Sequence, residues 1–209
     1  MNQATGGILS DHAIKMAVES GDIKIDPFRV EQLNPVSYDL TLGEGVSVYD
    51  AWVDSGWTGK DRPFYGRGFY PRNSWHDVKT EPVLRRFKMT PEAGWVLFPG
   101  IGYLMHTRES IYTKKFVPVI DGKSSIGRLF IQIHITAGFG DPGFNGQYTL
   151  EVVVTHPVRI YPGMRIAQVR FHTISGDIDN LYDRVGHYVG DDARGEIGSM
   201  AWRQFKKDD

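Results

Sequence analysis

Apolar residues in this chain come in short runs, and most of the runs are stopped by glycine or proline. With 24 Gly and 11 Pro among 209 residues, that punctuation favours a turn-rich β architecture. The pattern is densest from Asp121 to Val154, DGKSSIGRLFIQIHITAGFGDPGFNGQYTLEVVV. A Gly-flanked Lys-Ser-Ser turn leads into an alternating strand in which Leu129, Ile131, Ile133 and Ile135 are predicted to share one face. The pattern breaks at AGFGDPGFNG and resumes as a second strand carrying one acid, Glu151, among Thr149, Leu150, Val152, Val153 and Val154. Two strands joined by a Gly/Pro/Asn loop read as neighbours with a crevice at one end. The polar groups at that end are of the kinds a nucleoside triphosphate needs.

A chain of 209 residues, 41% hydrophobic, can bury one substantial core, and with no internal repeat residues 1–209 are read as one domain. A net charge of -1 gives no bulk electrostatic case for nucleic acid or membrane binding. The absence of cysteine excludes disulfides and thiolate metal sites, and with them the zinc deaminase signature. No stretch is apolar enough to span a bilayer and the N-terminus lacks a signal pattern, so a soluble cytoplasmic protein is expected.

Residues 1–7 read as a loose leader, and Ser10 is predicted to cap a short helix with Ile14, Ala17 and Val18 on one face and Gly21 closing it. IKIDPF reads as a strand stopped by Pro27, and SYDLTLG as one in which Tyr38, Leu40 and Leu42 alternate with Asp39 and Thr41. Asp39 is either a turn or edge carboxylate or a group near the site. Pro-Gly pairs at 99–100 and 162–163 mark hairpin-like turns. Residues 51–80 mix Trp, Tyr, Arg and Gly without a period. They read as an insertion packing on the body or on a neighbouring subunit, in preference to a single-strand binder, because Asp54, Asp61 and Asp77 dilute the charge. Residues 175–209 form a polar, Gly-rich tail.

If Ser124 to Arg128 forms one helical turn, Ser124 and Arg128 face the same way, and hydroxyls plus a guanidinium make a cradle for anions. An ordinary Gly-x-Ser-Ser turn would read the same. Asp141 precedes Pro142, which holds its carboxylate at a loop apex, and Phe144 can stack on a sugar; a plain Asp-Pro-Gly turn is the alternative. Glu151 points with Thr149 and Val153, either at a solvated edge or in a pocket. In a pocket its pKa should rise toward neutrality, which suits a group that both takes and gives a proton.

These blocks together resemble the dCTP deaminase family of the trimeric dUTPase superfamily. The family's pattern runs D/Q-G-R-S-S-L-x-R, then T-A-G-F/W-I-D-x-G-F or T-A-H-R-I-D-P-G-W, then T-L-E. Here the matches are DGKSSIGR, HITAGFGDPGFNG and TLEV, with ILSDHAI, SYDLTLG, LFPGIGYL and YPGMRIAQV in the expected order. The resemblance implies a mainly β, distorted β-barrel or jelly-roll-like dUTPase-type fold with a short N-terminal helix. It further implies a homotrimer with sites between subunits and hydrolysis of dCTP to dUTP and ammonia. It makes Glu151 the general acid/base, and Ser124 and Arg128 the groups that orient water and polarise the pyrimidine. It places Lys123, Ser125 and Gln168 at the phosphates, and Asp141, Phe144 and Gly138 in the loop beside the deoxyribose and base. Tyr182 and His187 match tail contacts. Mg2+ carried by the triphosphate, no zinc, and dTTP as a candidate inhibitor are also implied. Thr136-Ala137-Gly138-Phe139 resembles members that go on to cleave dUTP to dUMP and pyrophosphate, with Asp141 positioning water. The alternatives are a dUTP diphosphatase alone or an idle nucleotide-binding regulator. Lys123 stands where Arg is usual, Gly140 where Ile precedes the Asp, and the tail reads His187-Tyr188-Val189-Gly190-Asp191.

Overall fold

The computed structural model describes residues 6–50, 76–190 and 194–205. Residues 51–75 of the predicted insertion, 1–5 of the leader, and 191–193 (with Asp191) and 206–209 of the tail lie outside the described residues. The fold is mainly β. Helix α1 (Asp11–Glu19) starts where Ser10 Oγ accepts the Ala13 N–H at 3.3 Å, buries Ile14 and Ala17, and is followed by Gly21 at φ +81°. A side chain is disfavoured in that left-handed conformation, which ends the helix where the sequence predicts.

In chain order the strands are β1 (Ile23–Asp26), β2 (Leu33–Asn34), β3 (Ser37–Thr41), β4 (Gly45–Tyr49), β5 (Leu84–Lys88), β6 (Trp95–Leu97), β7 (Tyr103–Thr113), β8 (Phe116–Gly122), β9 (Ile131–Gln132), β10 (Asn145–Val154), β11 (Val158–Ile160) and β12 (Arg165–Thr173). The longest, β7, pairs with β1 and β4 on one edge and with β10 along the other. One sheet runs β5-β4-β7-β10-β9 with β1 on β7, a second β2-β3-β12-β8, and β6 pairs with β11. The two larger sheets share one core, with Leu40, Ile166 and Phe171 buried with Met105, Leu150 and Val152. Strand pairing among the described residues closes no barrel, and the architecture is a distorted β fold.

Both Pro-Gly pairs turn the chain, with Gly100 at φ +81° and Gly163 at φ +80°, but neither closes a hairpin. β6 pairs with β11, whereas β7 belongs to the first sheet and β12 to the second. Each turn therefore passes the chain from one sheet to another.

The strand predicted over 129–135 is mostly absent. Ser124–Gly127 forms a short helix, α2, with Arg128 as its C-cap, and Phe130 follows at φ +54°. Only Ile131 and Gln132 then pair, against Val154 and Val153. Ile131 and Ile133 are buried as predicted, while Leu129 and Ile135 are 46% and 50% exposed. The helical turn uses up the first of these residues, and the backbone bends away after Ile133.

Candidate functional site

β10 buries Leu150, Val152 and Val154 and turns Thr149 and Glu151 to the other face. On that face opens a cavity of about 330 Å3. Its walls are Thr149 and Glu151, Leu104 of β7, Tyr49 at the end of β4, the loop carrying Phe139, Gly140, Asp141 and Phe144, and the tail residues Tyr182, Tyr188 and 197–199.

Half-buried Glu151 accepts the Ile135 N–H on Oε2 at 2.9 Å, which ties the loop after β9 to the strand. Its other oxygen has no partner among the described residues. Asp141 opens a tight turn: the Phe144 N–H donates to the Asp141 carbonyl at 3.1 Å, with Pro142 second and Gly143 third at φ +97°. That is the residue order of a type II turn, in which only the third position demands glycine. The turn is anchored to β7 through Gly143 N–H and the Thr113 carbonyl, and to the tail through Pro142 carbonyl and Tyr182 N–H. The Asp141 carboxylate is left exposed on the cavity rim.

The aromatic lining forms a ladder. Phe144 packs on Tyr148 with centroids 5.0 Å apart, and on Tyr182 edge-on at 5.7 Å. Phenols then hold the tail down. Tyr182 Oη accepts the Tyr188 N–H, Tyr188 Oη the Met200 N–H, and Tyr49 Oη the Ser199 N–H, at 3.0–3.2 Å. Thr149 and Gln147 add bonds to Gly195 and Ile197. Burial pushes the Tyr49, Tyr148 and Tyr182 hydroxyls above their usual pKa, so each stays neutral. Tyr148 differs from the others, because its hydroxyl is buried with no hydrogen-bond partner among the described residues. Leaving such a group unpaired costs about 1–3 kcal/mol.

A second cluster lies under α2. Asp39 is neither at a turn nor at an edge: it is 1% exposed inside β3. Its Oδ1 takes the Lys123 ammonium and the Asn34 amide, the latter at 2.9 Å, and its Oδ2 takes Arg165 at 3.3 Å. Lys123, expected at phosphates, thus has its charge engaged by a buried carboxylate. Gln168 is likewise occupied, accepting from Ser37 Oγ at 3.0 Å and donating to the Gly122 carbonyl at 2.9 Å. Above this base Ser124, Ser125 and Arg128 are exposed.

The structure therefore brings Glu151, Asp141, Phe144 and Tyr182 to one cavity. Ser124, Ser125, Arg128, Lys123 and Gln168 gather at another place in the same chain, and none of them lines that cavity. Gly138 sits beside β8, where an added Cβ would lie 2.9 Å from the Ile120 carbonyl oxygen. His187 is exposed on the tail and does not line the cavity. Sequence reasoning missed Tyr148, Tyr49, Tyr188 and Gln147. Pairing with β7 shifts register between Gln147 and Thr149, so strand alternation gives no signal for Tyr148. Among the described residues no group of three or more His, Asp or Glu is placed to hold a metal ion, and no helix is long and apolar enough to cross a membrane.

A family model described as dCTP deaminase-like matches residues 8–174. A curated relative from Leptospira biflexa, named "dCTP deaminase, dUMP-forming", is 39% identical over 89% of this chain and 91% of its own. One of the same name from Clostridium botulinum is 38% identical over 89% of this chain and 92% of its own. Among solved structures, 2'-deoxycytidine 5'-triphosphate deaminase from Agrobacterium tumefaciens superposes with a TM-score of 0.58 at 23% identity. That match covers 83% of this chain and 50% of the other, and shows a shared fold.

Proposed function

The chain belongs to the dCTP deaminase-like family, and from that premise we propose that it hydrolyses dCTP to dUTP and ammonia and then cleaves dUTP to dUMP and pyrophosphate. The observation that carries this reading is the half-buried Glu151 carboxylate in an aromatic cavity, one oxygen fixed by the Ile135 N–H and the other left for a ligand. In the first step Glu151 takes a proton from the water that attacks C4 of the cytosine. It delivers a proton to the departing nitrogen, so that dCTP and water give dUTP and ammonia. Phe144 stacks beside the sugar, and Tyr182 closes the wall behind it. In the second step Asp141 positions water against the α-phosphate, and pyrophosphate leaves. The relatives' name, dUMP-forming, favours both steps in one protein.

Ser124 and Arg128 supply the water-orienting and polarising groups, with Ser125 toward the phosphates. Because they lie away from the Glu151 cavity of their own chain, they act on the cavity of a neighbouring copy in a homotrimer. The exposed apolar side chains Leu129 and Phe130, which follow Arg128, and Ile135 and Phe139, which lie by the cavity, support burial of both places against such a neighbour. Lys123 and Gln168 act from below, holding the α2 turn on Asp39 and Gly122. Mg2+, expected to arrive with the triphosphate rather than on a protein site, would supply neutralisation of the charge developing at the leaving pyrophosphate.

Incubation with dCTP and Mg2+, followed by assay of ammonia, dUTP, dUMP and pyrophosphate, tests the activity. Ammonia and dUMP in equal amounts with no free dUTP is the expected result. Accumulating dUTP would remove the second step, turnover of dUTP with inert dCTP would remove the first, and binding without turnover would mark an idle regulator. The shared site predicts complementation: mixing and reassembling inactive Glu151→Gln and Arg128→Ala chains restores ammonia release. Mixed trimers that stay inactive would place both residues in one subunit's site.

A further inference from the structure

Tyr148, Gly140 and Asp141 line the same cavity. A Cβ at Gly140 would fall 2.2 Å from the Tyr148 hydroxyl oxygen, so the phenol fills the space that a side chain at 140 would need. The family's motif places Ile there; in this chain Gly admits the tyrosine. The phenol is delivered by packing. Phe144 lies against its ring at 5.0 Å, and its backbone N–H is held by Thr107 Oγ1 at 2.9 Å. The Gly140 N–H is fixed on the Pro118 carbonyl at 2.7 Å, so the contact does not depend on a loose loop.

A donor and an acceptor that complement each other thus lie on either side of Gly140. The Tyr148 hydroxyl is buried without a partner among the described residues, and the Asp141 carboxylate is exposed on the rim of the same cavity, free to turn toward a ligand. Buried donors are seldom left unmade without reason, and a phenol–carboxylate bond is of the strong, charge-assisted kind. Burial first, and the Asp141 charge second, keep the phenol protonated and therefore able to donate.

We propose that Tyr148 is a positioning residue: when a nucleotide fills the cavity, its hydroxyl donates to the Asp141 carboxylate and fixes that carboxylate toward the water at the α-phosphate. This rests on the role given to Asp141 above.

Tyr148→Phe keeps the ring and its contacts and removes the unpaired buried hydroxyl, so it should fold with a melting temperature at or above that of wild type. In the full chain with dUTP and Mg2+, its kcat for pyrophosphate release should fall about tenfold with KM little changed, the size expected for one charge-assisted hydrogen bond. In an Asp141→Asn background the same substitution should cause no further loss, because the partner is already gone. A crystal of the wild-type protein with a non-hydrolysable dUTP analogue should show Tyr148 Oη within about 3 Å of an Asp141 carboxylate oxygen. Unchanged kcat on dUTP, an equal loss in the Asp141→Asn background, or a bound analogue with the two groups apart would each overturn the proposal. Wild-type protein that turns over neither nucleotide would instead overturn the role of the site. The analogue crystal then still decides the pair, and an analogue that stays out of the cavity counts against it.

Discussion

Glu151→Gln keeps an oxygen where the carboxylate accepts the Ile135 N–H, so the loop stays tied and the cavity keeps its shape. On the role proposed for Glu151, the variant loses the proton carrier alone. Ammonia release should fall by about 10²–10⁴-fold while nucleotide binding, followed by calorimetry, changes little. Retained deamination would remove the acid/base role. Lys123 poses the opposite case. Lys123→Ala leaves Asp39 buried with Arg165 as its other cation, and should destabilise the protein by on the order of 3 kcal/mol. A urea midpoint indistinguishable from wild type would show that the Lys123 ion pair contributes little. The sequence shows Glu151 as an acid within a strand pattern and Lys123 as a charge in a Gly-flanked turn, but only packing shows that one faces a cavity and the other a buried acid.

At the scale of elements, the Asp141–Phe144 turn couples β7, β10 and the tail. Gly143 sits at φ +97°, and a Cβ there would lie 3.1 Å from the Tyr182 nitrogen and 3.2 Å from the Leu181 Cβ. Gly143→Ala should therefore cost about 1–2 kcal/mol in backbone strain and loosen the short helix α3 (Tyr182–Val185) from Pro142. Thermal melting should show the loss, and limited proteolysis should cut the tail faster than in wild type; equal cleavage rates would separate the turn from the tail. The turn itself was legible, since Asp-Pro-Gly carries its own geometry. The strand expected over 129–135 was not, because an alternating pattern does not reveal that a preceding helical turn and Phe130 at positive φ will take up its first residues.

For the whole molecule, buried phenols set the alkaline limit. Tyr38 is fully buried, donates and accepts at the Pro27 carbonyl and Arg29 N–H, and is pushed from 10.0 to about 12, chiefly by burial. Tyr49, Tyr148 and Tyr182 shift the same way. Between those values the unfolded chain has lost a proton that the folded chain still holds. The stability is therefore complete below about pH 10 and is lost as pH rises toward about 12. The urea midpoint should fall steeply across that window, and Tyr38→Phe should flatten part of the fall. A midpoint constant to pH 12 would contradict the burial of these hydroxyls.

The sequence alone determined the β class, the N-terminal helix and its caps, the Asp-Pro-Gly turn, and the family whose motifs run through 8–174. These are local: a capping serine, a glycine at positive φ and an ordered set of short motifs state themselves within a few residues. Tertiary structure decided which sheet each strand joins, that Asp39 is buried and holds Lys123, and that Glu151 and Arg128 occupy different places in one chain. It also decided that Tyr148 fills the gap at Gly140. Contacts of this second kind join residues far apart in the chain or across a register shift, and no periodicity of side chains encodes them.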